Sequence, residues 1–360
     1  MIIKKITLTD FRNIRNAEIE PCSGINVIYG QNAQGKTNLL EAIWCFTGAK
    51  SFRGSKDSEL VNLNASKAAI KLDFFDEQRD QECVIEIEKR RKATLNGVEY
   101  HSAAEIAGKI NAVVFSPLDI NIIKDGPQHR RKFLDLSIGQ LYPKYIEVLR
   151  RYNRALDQRN RILKDLKYNP MLEEFLIDFE NELVALGFEI VCYRKRHIEA
   201  LKRYIPSIFD GISDGKEEIV VEYDTTVGET KEELSKLLKD ARNTDIYTLS
   251  TSVGPHRDDL KIEINGLSAR VYGSQGQKRS AAISLKLAES AVMREITGKS
   301  PIALLDDVMS ELDLSRQNYI LNHIKEWQVF ITCCDPNNIK GLENGKVFFV
   351  QNGTVRTDGI

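Results

Sequence analysis

Residues 30–37 read Gly30-Gln31-Asn32-Ala33-Gln34-Gly35-Lys36-Thr37, a complete G-x-x-x-x-G-K-[ST] phosphate loop. No other stretch constrains the fold as strongly, because the pattern works only between a buried strand and the N-terminus of a helix. Both flanks fit. Gly24-Ile25-Asn26-Val27-Ile28-Tyr29 reads as a short buried strand, and Asn38-Leu39-Leu40-Glu41-Ala42-Ile43-Trp44 as a helix aimed at the phosphates. The glycines let successive N–H groups turn inward as an anion-binding nest. Lys36 then places a point charge on the β- and γ-phosphates, and Thr37 offers a hydroxyl to Mg²⁺.

Composition narrows the setting. The 42% hydrophobic residues in 360 support a sizeable core, in one large domain or two ordinary ones. A formal net charge of −1 excludes a chain-wide basic footprint for nucleic acid, so any such surface has to be local. No signal-peptide apolar region and no long apolar run is present, so neither secretion nor membrane insertion is expected, and a cytoplasmic setting is. Cys22, Cys45, Cys83, Cys192, Cys333 and Cys334 form no C-x-x-C pair and read as reduced thiols.

The apolar pattern changes period along the chain. Ile2–Leu8, Ala69–Phe74, Cys83–Ile87 and Ala112–Phe115 read as strands, with Asn96-Gly97 as a hairpin turn. From Ile138 a heptad-like run follows through Leu141, Tyr145, Val148, Tyr152, Ala155, Ile162 and Leu166, broken at Arg159. After Tyr168-Asn169-Pro170 a second run takes in Leu172, Leu176, Phe179, Leu183, Leu186, Ile190 and Tyr193. The spacing predicts an antiparallel helical hairpin, either a projecting arm or a pair of core helices. At ~1.5 Å per residue each helix would span about 40 Å. Strand signals return at Glu218–Tyr223, Leu260–Ile264, Pro301–Leu305, Gln328–Thr332 and Lys346–Val350. The expected organisation is an α/β head in two parts, residues 1–117 and 254–360, around a mainly helical insertion at 118–253.

The C-terminal third restricts the chemistry. Ile302-Ala303-Leu304-Leu305 is an apolar strand ending in Asp306 and Asp307. A carboxylate there can hold Mg²⁺ through water beside a phosphate loop, which assigns Asp306 to the metal with Thr37. The next one, Asp307, can polarise an attacking water. Ser274-Gln275-Gly276-Gln277 stands at a helix N-terminus upstream, and Ser310-Glu311-Leu312-Asp313 follows the acids.

This order of motifs resembles the ABC-type ATPases. The resemblance implies that Ser274, Gln275, Gly276 and Gln277 form a signature that binds the γ-phosphate held by a second subunit, so that ATP glues two heads together. Within that class the chain resembles the RecF family of bacterial replication and recombinational repair proteins. The matching blocks are Leu8–Ile14, Gly30–Glu41, Phe115–Asp119, Gly126-Pro127 with Arg130–Asp135, Gly254–Leu260, Ser274–Arg279 and Leu305–Asp307. The family implies an ATP- and Mg²⁺-dependent, homodimerising DNA-binding protein. It acts on duplex and single-strand/double-strand junctions, with RecO and RecR, to load recombinase at gaps. Carried over by position, Gly30, Gln31, Asn32, Ala33, Gln34, Gly35, Lys36, Thr37 and Asn38 form the nucleotide cradle. Arg12 approaches the phosphates, and Lys36 and Asp307 serve hydrolysis.

Two departures from the general ABC pattern imply slow turnover, a timer rather than a motor. Asp307 is one methylene shorter than the usual glutamate, and Thr332-Cys333-Cys334-Asp335 stands where a switch histidine is expected. The insertion is far too short for the coiled coil of an SMC-type chromosome organiser. A phosphate-loop NTPase unrelated to DNA would have no use for the signature.

The basic residues between His129 and Lys167 outnumber the acids, and Arg130, Arg131, Arg150, Arg151 and Arg154 are candidate phosphate contacts for DNA. The competing reading is electrostatic pairing with the acidic 171–190 segment across the hairpin. Arg194–His197 with Lys202-Arg203 is a second basic cluster. His256-Arg257-Asp258-Asp259 is dense in polar groups and takes no role from sequence.

Overall fold

The computed structural model describes residues 1–335 and 345–358. Two compact units emerge. One is built from Met1–Asp119, Gly211–Gly215 and the described residues from Ala282 onward, the other from Ile120–Asp210 and Lys216–Ala281. The signature segment therefore clusters with the inserted unit, whereas the sequence groups 254–281 with the C-terminal part of the head.

In chain order the first unit opens with β1 (Ile2–Phe11), β2 (Ile14–Ile19), β3 (Ile25–Tyr29) and α1 (Lys36–Cys45), followed by β4 (Ala68–Phe75), β5 (Asp80–Ile87), β6 (Arg91–Leu95), β7 (Val98–Tyr100) and β8 (Ala112–Phe115). The insertion supplies α2 (Asn121–Lys124), α3 (Pro127–Leu141), α4 (Pro143–Asp165), α5 (Leu176–Lys202), α6 (Ile205–Ser213), β9 (Ile219–Asp224), α7 (Lys231–Thr248), β10 (Asp259–Ile264), β11 (Leu267–Ser268) and α8 (Ala269–Tyr272). Then α9 (Gln275–Thr297) leads back to β12 (Ile302–Asp306), α10 (Leu314–Ile324), β13 (Val329–Cys333), β14 (Lys346–Gln351) and β15 (Thr354–Asp358).

Two six-stranded sheets make the first unit. One, in the order β2-β1-β4-β5-β6-β7, is antiparallel throughout. Its strands alternate inside and outside, as β4 shows residue by residue. The other has the order β15-β14-β3-β13-β12-β8 and is parallel except at β15. Its central strands are continuous apolar runs, with Val27, Leu304, Leu305 and Ile331 fully buried, because a parallel sheet is covered on both faces. The β14–β15 turn is Asn352-Gly353, both residues at positive φ, as a tight hairpin requires.

In the second unit α4 and α5 pair as the expected hairpin, turned at Asn169, whose side chain accepts from Met171 N–H. Their cross-helix ion pairs, Lys144–Glu189 and Arg151–Glu182, fit an antiparallel register. The hairpin is not freestanding. Helix α5 also packs on α7, β9 and α3, so much of the pair is core, while Tyr168, Met171 and Phe175 at the turn are exposed. Near the turn the seam runs through Arg159 and Leu163, and Ile162 is only half-buried.

Four polar residues that sequence places on basic faces are buried here. The Arg159 side chain is fully enclosed, donating to Asp245 at 2.7 Å, Thr251 Oγ1 at 2.8 Å and Glu180 at 3.0 Å. Arg194 donates to Asp135 at 2.8 Å and to the Pro255 carbonyl at 2.7 Å. Arg130 forks onto Asp259 at 2.6 and 2.9 Å and also meets the carbonyls of Ile122 and Asp125. His197 meets Ser137 Oγ at 2.9 Å, and burial pushes its pKa down to about 4. Each buried charge is compensated, as it has to be in a low-dielectric interior.

The His256–Asp259 cluster belongs to this framework. His256 Nδ1 sits 2.7 Å from the Tyr152 hydroxyl and Nε2 sits 2.9 Å from the Thr251 carbonyl. The carbonyl can only accept, so Nε2 carries the proton and Nδ1 accepts from Tyr152. Asp258 takes bonds from Tyr223, Thr225 and the Thr226 N–H. The four residues thus tie α3, α4, α5 and β9 together.

Candidate functional site

The phosphate loop leaves β3 at the C-terminal edge of the parallel sheet, where strand ends and helix N-termini converge. Gly30 and Gly35 hold φ of +149° and +117°, and Ala33 is left-handed at +64°. At Gly30 a Cβ would lie 2.3 Å from the Val350 carbonyl oxygen, so both conformation and space demand glycine. Gly30→Ala is therefore expected to cost about 2–3 kcal/mol in urea unfolding. A loss below half a kcal/mol would mean that the loop shifts freely.

Gln34 anchors the loop from three sides. Its carbonyl accepts from Asn13 Nδ2 at 2.9 Å and from the Gly353 N–H at 3.1 Å, and its Oε1 accepts from the Asn352 N–H at 2.6 Å. Gly35 caps α1 without a side chain, and although the Asn38 N–H turns back to the Gly35 carbonyl at 3.0 Å, the Lys36 and Thr37 N–H groups at the helix start suit an anion. Lys36 is folded over the loop, donating to the carbonyls of Gly30 at 2.7 Å and Gln31 at 3.1 Å.

The strand-end acid lies beside the loop. Thr37 Oγ1 donates to Asp306 at 2.7 Å, and Thr332 Oγ1 at the end of β13 donates to the same carboxylate oxygen at 2.9 Å. Burial pushes the Asp306 pKa up, against the two hydroxyls. Asp307 has a left-handed backbone, φ 50°, and its N–H donates to Thr332 Oγ1 at 2.9 Å. Strained non-glycine backbone of this kind concentrates at functional sites. Hydroxyl and carboxylate oxygens are the donors a hard divalent cation takes, so Thr37 and Asp306 fit Mg²⁺. At the switch position Cys334 Sγ donates to Asn32 Oδ1 at 3.3 Å and lies 3.8 Å from Lys36 Nζ.

Arg12 is placed differently from the expectation. Its guanidinium forks onto buried Glu41 at 2.9 Å and also meets Ser55 Oγ and the Glu59 carbonyl, so it braces α1. The guanidinium beside the loop is that of Arg53, 3.0 Å from Asn38 Oδ1, in a segment with no motif to announce it. Asp119 belongs to the matching block Phe115–Asp119 but takes no role from the sequence. It accepts the Ser116 N–H at 2.7 Å, and burial raises its pKa to about 6, with Lys286, Glu289 and Asp306 in electrostatic range.

The signature lies in the other unit. Ser274 Oγ accepts the Gln277 N–H at 3.2 Å and Gln277 Oε1 accepts the Ser274 N–H at 2.7 Å, a reciprocal cap on α9. Gln277 Nε2 donates to Glu217 at 2.6 Å. Of the candidate DNA contacts, Arg150, Arg151 and Arg154 are exposed on α4, Arg151 pairing with Glu182 at 3.2 Å. Arg131 is half-buried and donates to the Asp258 carbonyl at 2.7 Å. Arg130 is buried on Asp259, and its donors are spent inside the protein.

A phosphate loop and an acidic strand end on a parallel sheet flanked by an antiparallel one, with a signature after a helical insertion, define an ABC-type ATPase head of the SMC kind. The family described as RecF/RecN/SMC N terminal domain matches residues 2–356. Curated proteins named DNA replication and repair protein RecF are similar over nearly full length. That of Clostridium perfringens is 40% identical, with 99% of this chain and 100% of that protein covered. That of Acetivibrio thermocellus is 36% identical at the same coverage. A solved structure of the recombination mediator protein RecF with ATP, in the RecFOR pathway, superposes with a TM-score of 0.90 at 37% identity, covering 99% of this chain and 98% of that one. The Smc head domain of Pyrococcus furiosus shares the fold at a TM-score of 0.54 and 18% identity, covering 100% of this chain and 96% of that one. The chain belongs to the RecF family of DNA replication and repair proteins. Among the described residues no helix is long and apolar enough to cross a membrane.

Proposed function

We propose that the chain is an ATP-controlled DNA-binding protein of recombinational repair and replication restart. ATP binds in the Gly30–Asn38 cradle, with Lys36 on the β- and γ-phosphates and Thr37 and Asp306 holding Mg²⁺. Bound Mg²⁺ neutralises charge on the phosphates. Ser274–Gln277 of a second copy close over the γ-phosphate, so nucleotide drives two heads together on DNA. Asp307 orients the attacking water, and slow hydrolysis releases the clamp. Membership of the family supports, as part of the same reading, loading of recombinase at single-strand gaps with RecR and RecO as partners. The observation that carries the reading is the Thr37–Asp306–Thr332 linkage, which joins the loop to the strand-end acid in one site.

The test measures oligomeric state, ATP affinity and duplex binding together. Lys36→Met is expected to lose roughly a hundredfold in ATP affinity, since a charge-assisted contact to phosphate contributes about 1.5–3 kcal/mol. Ser274→Arg is expected to keep ATP and stay monomeric. A wild-type chain that remains monomeric when saturated with a non-hydrolysable nucleotide, and that grips duplex equally well without it, would refute the proposal.

A further inference from the structure

Two carboxylates stand at the end of β12, and the structure holds them in different ways. Asp306 is fixed by its side chain. It faces Thr332 in the parallel β12–β13 ladder, so the two side chains rise on the same face of the sheet. Asp307 is fixed through its backbone. Its N–H donates to Thr332 Oγ1 at 2.9 Å, and its carbonyl accepts from Ser310 Oγ at 2.8 Å. Among the described residues its carboxylate takes no hydrogen bond and no ion pair. The main chain therefore decides where that carboxylate points. At φ 50° it is left-handed, a conformation that a residue with a Cβ keeps only where its surroundings hold it.

One hydroxyl serves both acids. Thr332 is buried at the end of β13, 1% exposed, and its branched Cβ restricts the rotamers open to it. Its single proton goes to Asp306 Oδ1 at 2.9 Å, the Leu305 carbonyl at 3.5 Å being the poorer acceptor. Its lone pairs are then left for the Asp307 N–H. The same Asp306 oxygen receives the Thr37 hydroxyl at 2.7 Å. Thr332 thus links the carboxylate beside the phosphate loop to the peptide that aims the next one.

We infer that Thr332 is a positioning residue for hydrolysis, whose hydroxyl registers Asp307 against Asp306 and so aims the second carboxylate at the attacking water. The inference rests on the ATPase reading above and names the residue that aligns its two acids. Valine keeps the shape of threonine and removes the hydroxyl. The Asp307 N–H then loses its acceptor, and the left-handed peptide loses one of its two ties.

The test compares Thr332→Val with Thr332→Ser in the full chain. In nucleotide-free protein, exchange of the Asp307 amide should quicken by about tenfold or more in the valine variant and stay near wild type in the serine variant. Single-turnover hydrolysis at saturating ATP and Mg²⁺ should fall by about ten- to a hundredfold with valine, the order of loss that a small misplacement causes. Serine should restore it to within about threefold, and ATP affinity measured without metal should hold within about twofold in both variants. In an Asp307→Asn background Thr332→Val should cost nothing further, because the hydroxyl acts through Asp307. A valine variant that hydrolyses ATP at the wild-type rate overturns the inference. So does an equal loss with valine and serine, which takes the effect away from the hydroxyl, and so does a full valine loss that persists beside Asp307→Asn. A wild-type chain that binds no ATP, or that hydrolyses it as fast with Asp307→Asn, overturns the underlying reading instead, and the role of Thr332 with it.

Discussion

Arg159→Met is expected to destabilise the helical unit by about 3–5 kcal/mol, the usual cost of stripping one partner from a buried ion pair. Asp245 is completely enclosed, and it would keep only the Ser252 N–H and hydroxyl once the guanidinium is gone. Glu180 is better protected, because Arg242 also reaches it at 2.5 Å. Most of the penalty thus falls on Asp245, and Asp245→Asn in the same chain should recover part of it, a coupling that a double-mutant cycle reads directly. The measurement has to report on the right unit. Trp44 and Trp327 are the only tryptophans in the chain and both belong to the first unit, so amide exchange along α4 and α7 is the suitable probe. Protection unchanged to within a factor of ten would show that the arginine is not carrying the charge balance of that core.

Acidification should loosen the same unit. His197 and His256 are both held neutral by burial, with pKa values pushed down to about 4. A histidine whose folded value is depressed contributes stability that is complete above its unfolded value near 6.5. That stability is lost as pH falls toward the folded value, since only the unfolded chain then takes up the proton. Each therefore costs about 3 kcal/mol between pH 6.5 and 4. Around His256, Arg257 and Arg131 push in the same direction as burial, while the hydrogen bond to the Thr251 carbonyl and, behind it, Asp245 oppose them. Asp258, raised by burial, works against the trend by taking its proton in the folded state and recovers part of the loss. Proton resonances of the two rings should stay constant from pH 7 to 5 while the unit's stability declines. A ring titrating near 6.5 in the folded protein would contradict the packing described for it.

What sequence could and could not show divides along physical lines. The nucleotide cradle was legible because its signals are local: Gly30 and Gly35 for backbone freedom, an apolar strand before and a helix after. Asp306 was legible as the end of an apolar run. The fate of the arginines was not, because burial of Arg130, Arg159 and Arg194 depends on Asp259, Asp245 and Asp135, which lie far along the chain. A clue was present in Arg159, which interrupts the heptad seam at a core position. A charged residue at such a position signals an enclosed partner rather than a solvated face. The His256–Asp259 cluster was opaque for the same reason, its partners being Tyr152, Tyr223 and Arg194. Arg12 carried a family motif yet braces α1 through Glu41, which no spacing rule reports.

The anchoring of Gln34 by Asn352 and Gly353 has a consequence for biosynthesis. The sheet beneath the loop is assembled from β3 near one end of the sequence and β14 and β15 near the other. A nascent chain can complete its helical insertion early, from contacts already synthesised. It cannot finish the cradle until the β14–β15 turn has emerged from the ribosome. Such long-range closure makes this unit the slow-folding one, and a translating polypeptide has no competent nucleotide pocket until its final hairpin is made.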